Sequence, residues 1–278
     1  MLEGEFVTES LRIAILGAGN IGTSIATGLV QSGRFSAPNI ILTRRTSALL
    51  ENMKQKGFVV TSDNVHAVKE AKVVIVAVEP QQIDAVLAEI APAITGGHVV
   101  ISVVTGVGIR QIAKHLGKRA AIVRAMPNTA IAVRESMTCL ASENPKSDAV
   151  ELAKSIFDAV GITLLIKEEE MIAATALGAC GVAFFLRAIR AASQGGIEIG
   201  LHSHGALAMA AQTAKGAASL LLALGNHPEQ EIDRVTTPKG CTIAGLNQME
   251  HAGFSSAMIR GITVSAEKAS RLYSSDDE

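Results

Sequence analysis

Leu11-Arg12-Ile13-Ala14-Ile15-Leu16 runs straight into Gly17-Ala18-Gly19-Asn20-Ile21-Gly22, and the reading of that stretch decides the fold. A short apolar, β-branched run reads as a buried strand, and G-x-G-x-x-G behind it reads as a tight turn opening a helix. Taken alone, the hexapeptide says little. Between a strand and a helix, each glycine serves a purpose. Gly17 permits the turn, Gly19 lets a pyrophosphate approach the backbone, and Gly22 brings helix and strand together. Gly17, Gly19, Asn20, Ile21 and Gly22 are therefore expected to hold a dinucleotide.

The next ~150 residues repeat this alternation. Apolar runs at residues 39–43, 59–61, 73–78, 98–103 and 120–124 predict strands, with helical patterns near 22–32, 47–56, 81–90 and 109–116. Residues 137–140 and 163–166 are weaker strand candidates that extend one edge. Strands alternating with helices predict a mostly parallel sheet with crossover helices, an α/β, Rossmann-type domain over residues 1–166.

Charge indicates which nicotinamide nucleotide suits the domain. An NAD site usually carries Asp or Glu at the end of the second strand, where it accepts from the ribose 2′-hydroxyl. No acidic residue lies between Glu9 and Glu51, and the second strand ends Thr43-Arg44-Arg45-Thr46. Two guanidinium forks there suit a 2′-phosphate. The expectation is NADPH, with NADH bound more weakly.

After Lys167 no strand-like run survives. Residues 167–278 are alanine-rich with helical spacing, and Glu168-Glu169-Glu170 is read as the acidic first turn of a helix. Across 278 residues the chain is 48% hydrophobic but only 3% aromatic, so small aliphatic side chains must build its cores. Residues 171–186 carry no charge and lie between Glu170 and Arg187. They fall short of the ~20 residues of a membrane span, and a buried helix in a subunit interface is expected. The last residues, ending Ser274-Ser275-Asp276-Asp277-Glu278, are expected to fray.

A net charge of -1, from 25 basic and 26 acidic side chains, offers nothing to nucleic acid or an anionic membrane. The start, MLEGEFVTES, has neither the basic region nor the apolar core of a secretory signal. Cys139, Cys180 and Cys241 are far apart, without metal-ligand spacing, which fits free thiols in a reducing cytoplasm. His202 and His204 stand two apart on a helix and point to different faces, so no metal is expected.

The helical half contains one further long pattern, DRVTTPKGCTIAGLNQMEHAG, from Asp233 to Gly253. Its polar turn, Thr236-Thr237-Pro238-Lys239-Gly240, precedes a helix that begins near Cys241, leaving free N–H groups suited to a carboxylate. This stretch resembles the signature of Δ1-pyrroline-5-carboxylate reductases, D-x-V-T-T-P-x-G-x-T-x-x-G-L-x-x-L-E-x-x-G, departing only at Met249. The resemblance extends from Leu11 to about Arg271. It implies hydride transfer from NADPH to the cyclic imine of 1-pyrroline-5-carboxylate, giving L-proline in the final step of proline biosynthesis. It also implies an all-helical dimerisation and substrate-binding domain over residues 167–278, self-associated as a dimer and, in family members, as decamers.

Several roles follow from the resemblance alone. Thr237, Lys239, Gly240, Cys241 and Thr242 would hold the small-molecule substrate, with Thr242 on the ring nitrogen. A threonine hydroxyl is a poor general acid, so Thr242 is assigned to orientation and a water-borne proton relay. Asn64 matches an asparagine at the adenosine end of the cofactor. Ala77-Val78-Glu79-Pro80-Gln81 is similar to the family's A-V-K-P-Q, so Ala77, Val78 and Pro80 are expected at the cofactor, while Glu79 reverses a charge. Met126-Pro127-Asn128-Thr129 matches M-P-N-T beside the nicotinamide.

Gly178-Ala179-Cys180-Gly181-Val182-Ala183-Phe184 departs from the family's S-G-S-G-P-A-Y, losing two serines and a tyrosine hydroxyl. Two alternatives are therefore carried forward. One is another imine or β-hydroxyacid reductase, although the K-x-x-x-N of the latter group does not occur in the helical half. The other is a non-catalytic NADPH-responsive regulator.

Overall fold

The computed structural model describes residues 10–117 and 120–272. The expected fraying after Ser274 lies outside the described residues. The chain forms two compact units, one of residues up to Cys180 together with those from Ser265 onward, the other Gly181–Val264.

The first unit is built on one sheet. In chain order it holds β1 (Ile13–Leu16), α1 (Asn20–Gln31), β2 (Ile40–Thr43), α2 (Glu51–Gln55), β3 (Val59–Thr61), α3 (Asn64–Lys69), β4 (Val73–Val76) and α4 (Ile83–Ile90). Then follow β5 (Val99–Ser102), α5 (Ile109–Leu116), β6 (Ala121–Met126), β7 (Ser136–Ala141), α6 (Asp148–Phe157), β8 (Gly161–Leu165) and α7 (Met171–Ala174). The strands are ordered β3-β2-β1-β4-β5-β6-β7-β8. All neighbours pair parallel except β6 with β7, which run antiparallel. The two weaker candidates thus extend the sheet on the β6 side.

Alternation along the central strands explains why their runs are continuously apolar. Ile13, Ile15, Val73 and Ile75 pack on one face against Ile25 and Leu29 of α1 and Phe157 of α6. Ala14, Leu16, Val74 and Val76 pack on the other against Ile83, Leu87 and Ile90 of α4. Successive strand residues point to opposite faces, so a sheet covered on both sides needs hydrophobes at every position. Each fully buried Ile or Leu contributes about 1.5–3 kcal/mol.

Two helices escaped the sequence reading, α3 and α6. The latter buries Ala149, Val150, Ala153, Ile156 and Phe157, a helical spacing that the polar residues between them masked. The pattern over 47–56 resolves into a 3-10 turn, Ser47–Leu50, before α2.

The second unit consists of α8 (Gly181–Glu198), α9 (Ser203–Leu224), α10 (Pro228–Val235), α11 (Cys241–His251) and the greater part of α12 (Phe254–Ala269). The helix expected at 171–186 in a subunit interface is partly buried in the single chain, through Met171, Thr175, Ala176 and Gly181. Ile172, Leu177, Phe185 and Leu186 are exposed, and between α7 and α8 the helix widens into a π turn, Thr175–Cys180. Glu168–Glu198 and Ser203–Leu224 are both long and apolar enough, by length and composition, to cross a membrane.

Candidate active site

The glycine turn closes against the ends of β2 and β4. Gly17 and Ala18 donate their N–H groups to the Thr43 carbonyl at 3.2 and 2.8 Å, and Gly19 N–H donates to the Gly17 carbonyl at 2.8 Å. Gly17 has φ +93°, and a Cβ on it would lie 2.7 Å from the Ala77 carbonyl oxygen, so no other residue fits without movement. A Cβ on Gly19 would meet nothing within 4 Å, which leaves open space beside the backbone. Gly19 is also the N-cap of α1 and provides no side-chain cap. The N–H groups of Asn20, Ile21 and Gly22 therefore begin the helix without intrahelical partners, as an anion seat requires.

Around this turn lies a cleft of about 600 Å³, lined by Gly17, Gly19, Arg44, Arg45, Asn64, Ala77 and Val78 of the expected cofactor residues. It opens at the carboxyl ends of β1, β2 and β4, where the strand order reverses, the usual ligand position in an open α/β sheet. Arg44 and Arg45 are exposed and, among the described residues, make no ion pair. An open turn, an uncapped helix start and two unpaired guanidinium groups fit a phosphorylated dinucleotide.

Thr43 and Thr46, whose hydroxyls at the end of the second strand suit a 2′-phosphate beside the arginines, line the cleft as well; Leu49, Gln82 and Glu89 also line it and were not singled out from the sequence. Thr43 and Thr46 flank the arginines in sequence. Glu89 comes from α4, and nothing in its local pattern announces it. Glu79, for which no binding role was expected, lines the cleft too, its carboxylate accepting from Gln82 Nε2 at 3.1 Å. Pro80 does not itself line the cleft; it opens the 3-10 turn Pro80–Gln82, whose Gln81 and Gln82 do.

Met126, Pro127 and Asn128 do not line this cleft; they are buried at and just beyond the end of β6. Asn128 Oδ1 accepts from Ala130 N–H at 3.0 Å, Asn128 Nδ2 donates to the Gly178 carbonyl at 3.0 Å, and Asn128 N–H donates to Ser136 Oγ at 3.1 Å. On the same strand, Arg124 is buried and reaches Glu168 Oε1 at 3.3 Å. Burial pulls its guanidinium below the ordinary arginine value, and the charge and hydrogen bond of Glu168 pull the other way. Glu168 Oε1 also accepts from Ile109 N–H at 2.6 Å. Glu168 is thus more than the helix-start charge that its sequence suggested, a role Glu170 does fill by accepting from Lys167 N–H at 2.9 Å. Burial likewise pushes the Cys139 thiol up.

The residues expected at the substrate come together in the second unit, between α10 and α11. Thr236 Oγ1 donates to the Ile232 carbonyl at 2.7 Å and closes α10. Gly240 N–H donates to the Thr237 carbonyl at 2.9 Å across Pro238 and Lys239. Pro238 in second place and Lys239 in third at φ +61° are the marks of a type II turn, which usually has Gly or Asn in that third place. A Cβ on Gly240 would lie 2.5 Å from Thr237 Oγ1, so the turn also requires that glycine. Gly240 caps α11 without a side chain, leaving the N–H groups of Cys241 and Thr242 at an open helix start. Thr242 is half-buried one residue inside the helix, so it does not serve as the cap. Among the described residues its hydroxyl takes no hydrogen bond.

A mostly parallel, doubly covered sheet with a glycine turn and an arginine-bearing cleft at its switch point is the architecture of a dinucleotide-binding protein. Residues 12–106 match the family model for NADP oxidoreductase, coenzyme F420-dependent, and residues 168–272 match the model for pyrroline-5-carboxylate reductase dimerisation. The chain is 54% identical over 273 residues to pyrroline-5-carboxylate reductase 1 of Dictyostelium discoideum, covering 94% of this chain but 50% of that protein. It is 49% identical over 275 residues to reductase 2 of the same organism, covering 93% and 92%. The crystal structure of Plasmodium falciparum pyrroline carboxylate reductase with NADP bound superimposes with a TM-score of 0.87 at 25% identity, covering 96% of this chain and 99% of that one. The chain belongs to the pyrroline-5-carboxylate reductase family and is an NAD(P)H-dependent oxidoreductase.

Proposed function

We propose that the chain reduces the carbon–nitrogen double bond of 1-pyrroline-5-carboxylate to give L-proline, with NADPH preferred and NADH a weaker substitute. The observation that carries this reading is the open start of α11 behind the Thr237–Gly240 turn, carried by a chain that also holds a dinucleotide cleft. A non-catalytic nucleotide sensor has no use for such a carboxylate seat.

Bound NADPH supplies the hydride. The uncapped start of α1, with Gly17, Gly19, Asn20, Ile21 and Gly22, seats the pyrophosphate. Arg44 and Arg45 take the 2′-phosphate and Asn64 the adenosine end, while Ala77 and Val78 form the opposite wall and Pro80 opens the turn that carries Gln81 and Gln82 to it. Met126, Pro127 and Asn128 shape the nicotinamide end. In the second unit, the N–H groups of Cys241 and Thr242, with Thr237, Lys239 and Gly240, clamp the substrate carboxylate. The Thr242 hydroxyl, free of other partners, orients the ring nitrogen, and catalysis rests on positioning rather than on a strong acid.

Residues 1–166 then serve as the NADP-binding domain and 167–278 as the dimerisation and substrate-binding domain. In the single chain Ile199 is 84% and Leu222 76% exposed, exposures that support a homodimer through the helical region, with decamers as a further assembly. The cytoplasm suits three unpaired thiols.

The test is NADPH absorbance followed with purified protein and 1-pyrroline-5-carboxylate, then repeated with NADH. Rapid substrate-dependent loss with proline as product is expected. Tight NADPH binding without consumption would replace this reading with that of a regulator.

A further inference from the structure

An acidic residue reaches the nucleotide cleft from an element other than β2. Glu89, in the last turn of α4, lines the nucleotide cleft, and its Oε2 accepts from Asn64 Nδ2 at 3.0 Å. Asn64 Oδ1 accepts from Thr43 Oγ1 at 2.5 Å, and the Thr43 carbonyl receives the N–H groups of Gly17 and Ala18. Three side chains from three separate elements thus connect α4 to the glycine turn.

The two ends of a primary amide have nearly the same shape, and a half-turn of the group exchanges an acceptor for a donor. The Thr43 hydroxyl tolerates either end, since it both donates and accepts. An ionised carboxylate only accepts, so the side that faces Glu89 must be the NH₂. Glu89 makes no ion pair with Arg44 or Arg45 among the described residues, so the arginines stay available to a phosphate.

We propose that Glu89 is a positioning residue for the nucleotide: it fixes the Asn64 amide in one orientation, leaving one N–H and one lone pair for the ligand. The inference rests on the assignment of this cleft to the cofactor, and the experiment separates the two. Dissociation constants for NADPH and NADH are measured by nucleotide fluorescence on wild type, Asn64→Ala, Glu89→Ala and the double variant, together with KM, kcat and melting temperature. Glu89 is exposed, so its removal leaves the fold intact.

Glu89→Ala is expected to weaken both nucleotides about 3–10-fold, the net scale of one ordinary hydrogen bond, raising KM at unchanged kcat and melting temperature. The double variant is expected to match Asn64→Ala, because a residue acting through another adds nothing once that other is gone. Additive losses would overturn the inference by making Glu89 an independent contact. Loss in Asn64→Ala with none in Glu89→Ala would overturn it while sparing the cofactor site. Silence in both would overturn the inference and the cofactor reading together.

Discussion

Asn128 donates its side-chain amide to the carbonyl of Gly178 at 3.0 Å, joining the loop after β6 to the π turn that precedes α8. A π turn departs from the i to i+4 pattern and leaves carbonyls in need of other partners. The segment whose sequence departs most from the family's pattern is therefore held by a residue that matches it. Replacing Asn128 with alanine removes that bond and the one to Ala130 N–H, and should lower the unfolding free energy by about 2 kcal/mol. Aspartate, which only accepts, would set a carboxylate oxygen against the Gly178 carbonyl and should be worse than alanine. Denaturant midpoints of the three proteins check the order.

Arg44 and Arg45 should discriminate between nucleotides that differ by one phosphate. Replacing both with alanine is expected to raise KM for NADPH about tenfold or more, the scale of charge-assisted hydrogen bonds, and to leave NADH within about threefold. Equal effects on both nucleotides would remove the 2′-phosphate assignment.

Thr242→Val keeps the shape of the side chain and deletes its hydroxyl. Because that hydroxyl caps nothing, the fold and melting temperature should hold while kcat falls roughly tenfold, near 1.4 kcal/mol of transition-state stabilisation. An unchanged turnover number would show that Thr242 plays no part in the reaction.

Glu168 differs from its two acidic neighbours in what it holds. Glu168→Gln leaves buried Arg124 without a full counter-charge and should destabilise the protein by about 2 kcal/mol, a value reduced because Glu168 is a third exposed. Glu169→Gln, at an exposed site, should stay within about 0.5 kcal/mol. Thermal unfolding of the pair checks both.

The strands, most of the helices between them, the glycine turn, the paired arginines and the polar turn before Cys241 were legible in the chain itself. Each is a local property: alternation of apolar runs, a backbone only glycine can adopt, or a charge at a strand end. What sequence did not reveal depends on elements distant along the chain. Glu89 meets Asn64 because the crossover through β4 sets which face of α4 turns toward the cleft. Glu168 looked like any helix-opening acid until the sheet brought Arg124 and the start of α5 to it. The apolar helix at 171–186 read as buried because its composition records the need for cover. Only the tertiary structure shows which part of that need one chain meets, at Met171, Thr175 and Ala176, and which part it leaves open, at Leu177, Phe185 and Leu186, because hydropathy measures what a surface requires and packing decides what it receives.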